Sequence, residues 1–87
     1  MTLKIETRCE GRTTVLRLIG QAETELLEEL RAHIRCHARV QLELEEVTTV
    51  DISVVRFFVE CEARGVVLVQ CPLFIREWIN REQTEQR

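Results

Sequence analysis

The sequence contains no tyrosine, one serine (Ser53), one aspartate (Asp51), one lysine, one proline and three glycines in 87 residues. So little proline and glycine excludes collagen-like or low-complexity organisation and leaves no flexible linker along which to divide the chain. No apolar run approaches the ~20 residues of a membrane span, and the N-terminal stretch MTLKIETRCE is too charged for a signal peptide. A single domain over 1–87 in the cytoplasm is the expectation, without membrane attachment. The formal charge is −3, and eleven of the twelve basic residues are arginines interleaved with glutamates. That pattern reads as a solvated, salt-bridged surface, so nucleic acid is not an expected partner. Gly-rich phosphate loops, nucleophile elbows and paired catalytic carboxylates are also missing, which argues against an enzyme and against a bound cofactor.

What is present is a sequence of alternating and helical periods. LKIETRC alternates, with Leu3, Ile5, Thr7 and Cys9 on one face and Lys4, Glu6 and Arg8 on the other. A turn at Glu10–Arg12 leads to a second strand, TTVLRLIG, in a hairpin. There Leu16 and Leu18 point one way and Val15 and Ile19 the other, so both faces of that strand are expected to be partly covered. From Glu23 to His37 the period becomes helical, with Leu26, Leu27, Leu30 and Ile34 on one stripe, acids early and bases late. RVQLELEE alternates again, placing Val40, Leu42 and Leu44 inward. VVRFFVECEARG follows as a helix with Val54, Phe58 and Cys61 inward and Gly65 as a left-handed cap. VVLVQC reads as a continuous apolar strand. Pro72 then opens a third helix with Ile75, Trp78 and Ile79 inside and Phe74 at the core or its rim, before a polar tail (80–87) expected to fray.

The order β-β-α-β-α-β-α predicts an α/β domain with a four-stranded mixed sheet and helices mostly on one face. In such a sheet the connections after the third and fourth strands share the carboxyl edge, where open α/β folds keep their ligands. That expectation brings Asp51 and Ser53 to the same edge as Cys71 and Pro72. Asp51 or Ser53 could simply cap the helix that begins there. Ser53 could instead accept a phosphate, a dianion favourable to the helix dipole but repelled by Asp51. His33, Cys36 and His37 have a spacing compatible with a metal, but three ligands on one helix rarely close a tetrahedral site, and no metal is expected. Cys71 at a helix start is a secondary candidate at this edge, with some enhanced reactivity but no histidine nearby to serve as a base. The four cysteines lack metal or redox spacing and read as reduced residues.

Three stretches in order, VLRLIGQAE (15–23), VQLELEEVTTVDIS (40–53) and ARGVVLVQC (63–71), resemble the STAS domain shared by bacterial anti-sigma factor antagonists and sulfate-transporter tails. The resemblance spans about residues 3–80. It implies a non-enzymatic signalling module in transcription regulation, with a protein partner such as an anti-sigma factor that is also a serine kinase. Asp51 falls on the first residue of the family's Asp-Ser-Ser-Gly motif and Ser53 on the serine that is phosphorylated in regulatory members. Ile52 and Val54 stand where the motif has serine and glycine, making a stiffer helix start. On this reading Val50, Asp51, Ile52, Val54 and Phe57 form the switch loop and partner surface around Ser53. Two other readings stand beside it: a switchless homo-oligomerising scaffold whose second sheet face is covered by a homodimer partner, and a small-ligand or thiol activity near Cys71.

Overall fold

Gly11 takes φ 62 in a tight turn, and the strands on either side of it, β1 (Lys4–Glu10) and β2 (Thr13–Ala22), pair antiparallel from Glu10↔Thr13 to Lys4↔Ile19. The computed structural model describes residues 4–85, so Leu3 and the last two residues lie outside the described residues. A 3-10 turn (Thr24–Leu26) leads into α1 (Leu27–Arg35), then β3 (Val40–Val50), α2 (Ile52–Ala63), β4 (Val67–Val69) and α3 (Leu73–Glu85). The strands lie in sequence order, β1-β2-β3-β4, with β2/β3 and β3/β4 parallel. This is the mixed α/β sheet expected from the periodicity.

Alternation decides which residues enter the core. Leu16, Leu18, Leu42 and Leu44 point from the sheet against Leu27, Leu30, Val55, Phe58, Ile75 and Ile79 of the three helices, all buried. The opposite face is an ionic carpet. Arg8 reaches from β1 across β2 to Glu43 at 2.9 Å, and Arg17 pairs with Glu46. Val15, directly between Arg8 and Gln41 in the register, is only 1% exposed yet stands apart from the helix-covered core. The aliphatic stems of such long side chains can cover apolar surface while their charges stay wet. The second face is thus partly covered, as the mixed parity of β2 predicts. Along β1 the expected inner face holds only weakly: Ile5 is half-buried and packs on the core, while Thr7 and Cys9 are exposed on this edge strand.

Two boundaries differ from expectation. β3 runs on through Val47–Val50, where the sequence suggests a connection. The register jumps from Arg17↔Glu43 to Ile19↔Glu46, so β3 holds an extra residue. This bulge leaves both Glu45 and Glu46 exposed and returns Val47 to the core, which hides the strand from any test of strict alternation. β4 is shorter than VVLVQC suggests, because Gln70 takes φ 53 and ends it.

The short β4 changes the direction of α3. It pairs only with Gln41–Glu43, near the start of β3. Arg76, early in α3, bonds Glu62, late in α2, at 2.9 and 3.0 Å, while Arg56, early in α2, bonds Glu82, late in α3, at 3.0 Å. The two helices are therefore antiparallel. Glu82 is only 6% exposed, and α3 runs past residue 80, where the sequence suggests a tail, to Glu85. At the other end of α2, Gly65 (φ 92) follows Arg64, with Gly65 N–H on the Glu62 carbonyl and Val66 N–H on that of Cys61. That is the paired closure of a Schellman cap, as the glycine predicts.

Candidate functional site

Asp51 ends β3 and caps α2. Its Oδ1 accepts the N–H of Val54 at 3.0 Å, satisfying one of the free donors of the first helical turn. Its Oδ2 accepts two bonds from Thr24, from the amide at 2.9 Å and from the hydroxyl at 2.8 Å. One carboxylate thus ties the β2–α1 connection to the start of α2. Burial pushes its pKa up, but the donors from Val54, Thr24 and Ser53 together outweigh that and hold it below the usual range. The cap is Asp51, and Ser53 is the second residue of the helix, half-buried.

The neighbouring residues divide into surface and core. Ile52 is 37% exposed at the edge, whereas Val50 is half-buried and packs against the core. Val54 and Phe57, placed by sequence reasoning on the partner surface, are 1% and 5% exposed and belong to the core. The guanidinium of Arg31 lies over the Phe57 ring, 5.2 Å from its centre, and helps to cover it. The helical stripe of α2 is therefore wider than Val54, Phe58 and Cys61, taking in Val55 and Phe57 as well.

Cys71 does not share this edge, which corrects the sequence expectation. It lies beside Arg76 and feels the charge of Glu62, one residue before the end of α2 and about 16 Å along that helix from Asp51. The reason is the register: β4 stops against Glu43, eight residues short of Asp51, and α3 then rises instead of returning. Burial pushes the Cys71 thiol up against the opposing pull of Arg76, so the thiolate is not favoured at this helix start. Phe74, read as core or core rim, is 47% exposed beside Leu73 at 71%, on the first turn of α3. Just beyond the end of α1, a ring nitrogen of His37 lies 2.7 Å from the carbonyl of His33, and no group of three potential ligands capable of holding a metal occurs among the described residues.

No protein-family model and no curated protein sequence matches the chain. Solved structures do. The anti-sigma factor antagonist SpoIIAA in its unphosphorylated form superposes with a TM-score of 0.68 at 19% identity, covering 92% of this chain and 81% of that one. The chain has a STAS-like fold. An uncharacterised DUF3478-family protein with a SpoIIAA-like fold, from Shewanella loihica PV-4, superposes with a TM-score of 0.50 at 9% identity, covering 97% and 78% of the two chains. At these identities the likeness is one of fold, and within the STAS-like frame function must be argued from the site. None of the described helices is long and apolar enough to cross a membrane.

Proposed function

We propose that the chain is a non-enzymatic regulatory module that binds a protein partner through the sheet edge around Val50–Ser53, with Ser53 as its phosphorylation switch. The observation that carries this reading is the position of Ser53, two residues behind a carboxylate whose two oxygens are already committed to α2 and to Thr24. A phosphate on Ser53 would lie among the first-turn N–H groups of α2, where the helix dipole favours a dianion. It would also face Asp51, which cannot turn away without releasing Thr24. Phosphorylation would thereby alter the charge of the edge and loosen the clasp behind it. Ile52 supplies the exposed apolar contact with the half-buried Val50 beside it, while Val54 and Phe57 hold α2 in place from within. The likeness to an anti-sigma factor antagonist supports this class of partner, and a cytoplasmic setting with an anti-sigma factor or serine kinase suits the reading.

The test is affinity capture from native lysate with wild type, Ser53→Ala and Ser53→Asp, alongside mass spectrometry of the protein purified from its host. Phosphate on Ser53, and a partner held by the Ala variant but lost by the Asp variant, is the expected result. Equal capture by both variants would remove the switch and leave a binding module.

The switchless scaffold reading places a homodimer on the second sheet face, where Val67 is exposed, and Leu73 and Phe74 at the start of α3 are further exposed apolar residues. A homodimer built on them would be broken by Leu73→Glu with Phe74→Glu, which light scattering would show as a fall to monomer mass. The raised Cys71 thiol disfavours a thiol activity.

A further inference from the structure

At the end of α2 opposite Asp51, two surface cavities of about 410 and 390 Å³ share Ile34, Arg64 and Val66 as a common wall. Together they make a trench from the α1/α2 groove around to the edge of the sheet where β3 begins. Its floor in the groove is apolar, from Ile34, Phe57, Cys61 and Val66. Its rim is not: Arg31, Arg35 and Arg64 border one cavity and Arg39 and Arg64 the other, against only Glu28 and Glu60. None of these four arginines belongs to an ion pair among the described residues, whereas Arg8, Arg17, Arg56 and Arg76 each hold a glutamate. In a chain of formal charge −3, uncompensated positive charge is thus gathered around one apolar trench.

We infer that this trench docks an acidic segment of a partner protein, with an apolar side chain seated over Ile34 and Val66 and flanking carboxylates met by Arg35, Arg39 and Arg64. Charge complementarity selects that occupant. A basic or neutral segment would leave the arginines unpaired, and an acidic one is repelled by most of the remaining surface. Arginine suits the role because its planar fork takes carboxylates two bonds at a time. The half-open form of two joined cavities accommodates a length of chain rather than an enclosed small molecule. Arg64 follows the last residue of α2, about 16 Å along the helix from Ser53, so the two surfaces can be occupied together.

The experiment titrates isotope-labelled protein with a short peptide carrying two leucines among glutamates, and follows the backbone amides by NMR. Shifts confined to Ile34–Gln41 and Arg64–Val67 are expected, with affinity falling steeply with salt. R35E/R64E should weaken binding by roughly tenfold or more, while K4E/R81E, an equal change of net charge at positions that line neither cavity, should leave it unchanged. Equal loss in both double variants would overturn the inference, as would shifts centred elsewhere. So would trench shifts produced by inorganic phosphate or ATP but not by the peptide, or by raising the protein concentration alone, which would assign the trench to small anions or to a second copy. Capture at the Ser53 edge is read from different amides, so either proposal can fail without the other.

Discussion

One oxygen of Asp51 caps α2 at Val54 while the other holds both the amide and the hydroxyl of Thr24, twenty-seven residues earlier in the chain. Loss of the carboxylate therefore costs more than a cap. A cap contributes ~1 kcal/mol and each of the two exposed bonds from Thr24 adds about half as much. Asp51→Ala is expected to lower the unfolding free energy by about 2 kcal/mol in urea titration. Thr24→Val, which removes only the hydroxyl bond, should cost less than half as much. Equal costs would mean that the amide bond and the cap contribute nothing.

The same carboxylate gives an acid limb to stability. Its folded pKa lies below the ordinary carboxylate value, so between the two values the unfolded chain binds more protons than the folded one. The Asp51 contribution is therefore complete above the unfolded value of about 4 and is lost as pH falls through the lower folded value. Urea midpoints measured from neutral pH to pH 2 should fall more steeply for wild type than for Asp51→Asn. Parallel curves would show that the bonds to Thr24 and Val54 do not favour the charged form.

Much of this arrangement is legible in the sequence, because local periodicity carries it. The hairpin, the three helices and the inward leucines of β2 and β3 follow from spacing alone, and the lone Asp and Ser mark the start of α2. What escaped detection depends on contacts distant in sequence. The bulge at Glu45–Glu46 breaks the alternation that would have extended β3 to Val50. The direction of α3 is fixed by the pairing of β4 with the first residues of β3, and no local pattern encodes it. Misreading that direction placed Cys71 at the wrong edge. Phe57 lies beside the helical stripe read from spacing, and Arg31 from α1 helps to cover it. The Asp51–Thr24 clasp joins two residues that show no kinship until the sheet brings them together.

The four thiols should separate by environment. Cys9 and Cys36 are exposed, Cys71 is half-buried and Cys61 is buried. Burial pushes the Cys61 thiol up to about 12, and burial also raises that of Cys71. Since the thiolate is the reacting species, an aromatic disulfide reagent at pH 8 should consume Cys9 and Cys36 quickly and Cys71 more slowly. Cys61 should react only with unfolding. A Cys71→Ala variant that loses the fastest phase would contradict this order and revive a thiol function.

Glu82 and Arg56 form an unequal pair, which predicts an unequal response to mutation. The Glu82 side chain is 8% exposed and that of Arg56 59%, with 3.0 Å between them. Arg56→Ala leaves a buried carboxylate without its partner, whereas Glu82→Leu leaves an arginine that can turn to water and adds apolar contact on α3. Arg56→Ala is expected to destabilise by ~1 kcal/mol, discounted from the cost of a fully buried pair because the arginine is wet. Glu82→Leu should cost less or be neutral. In the double variant the penalty of Arg56→Ala should largely vanish, since no carboxylate is left to strand. Urea unfolding of the four proteins closes the cycle. If Arg56→Ala costs as much in the Glu82→Leu background as in wild type, the ion pair does not join α3 to α2, and the helicity of residues 80–85 must rest on Ile75 and Ile79 alone.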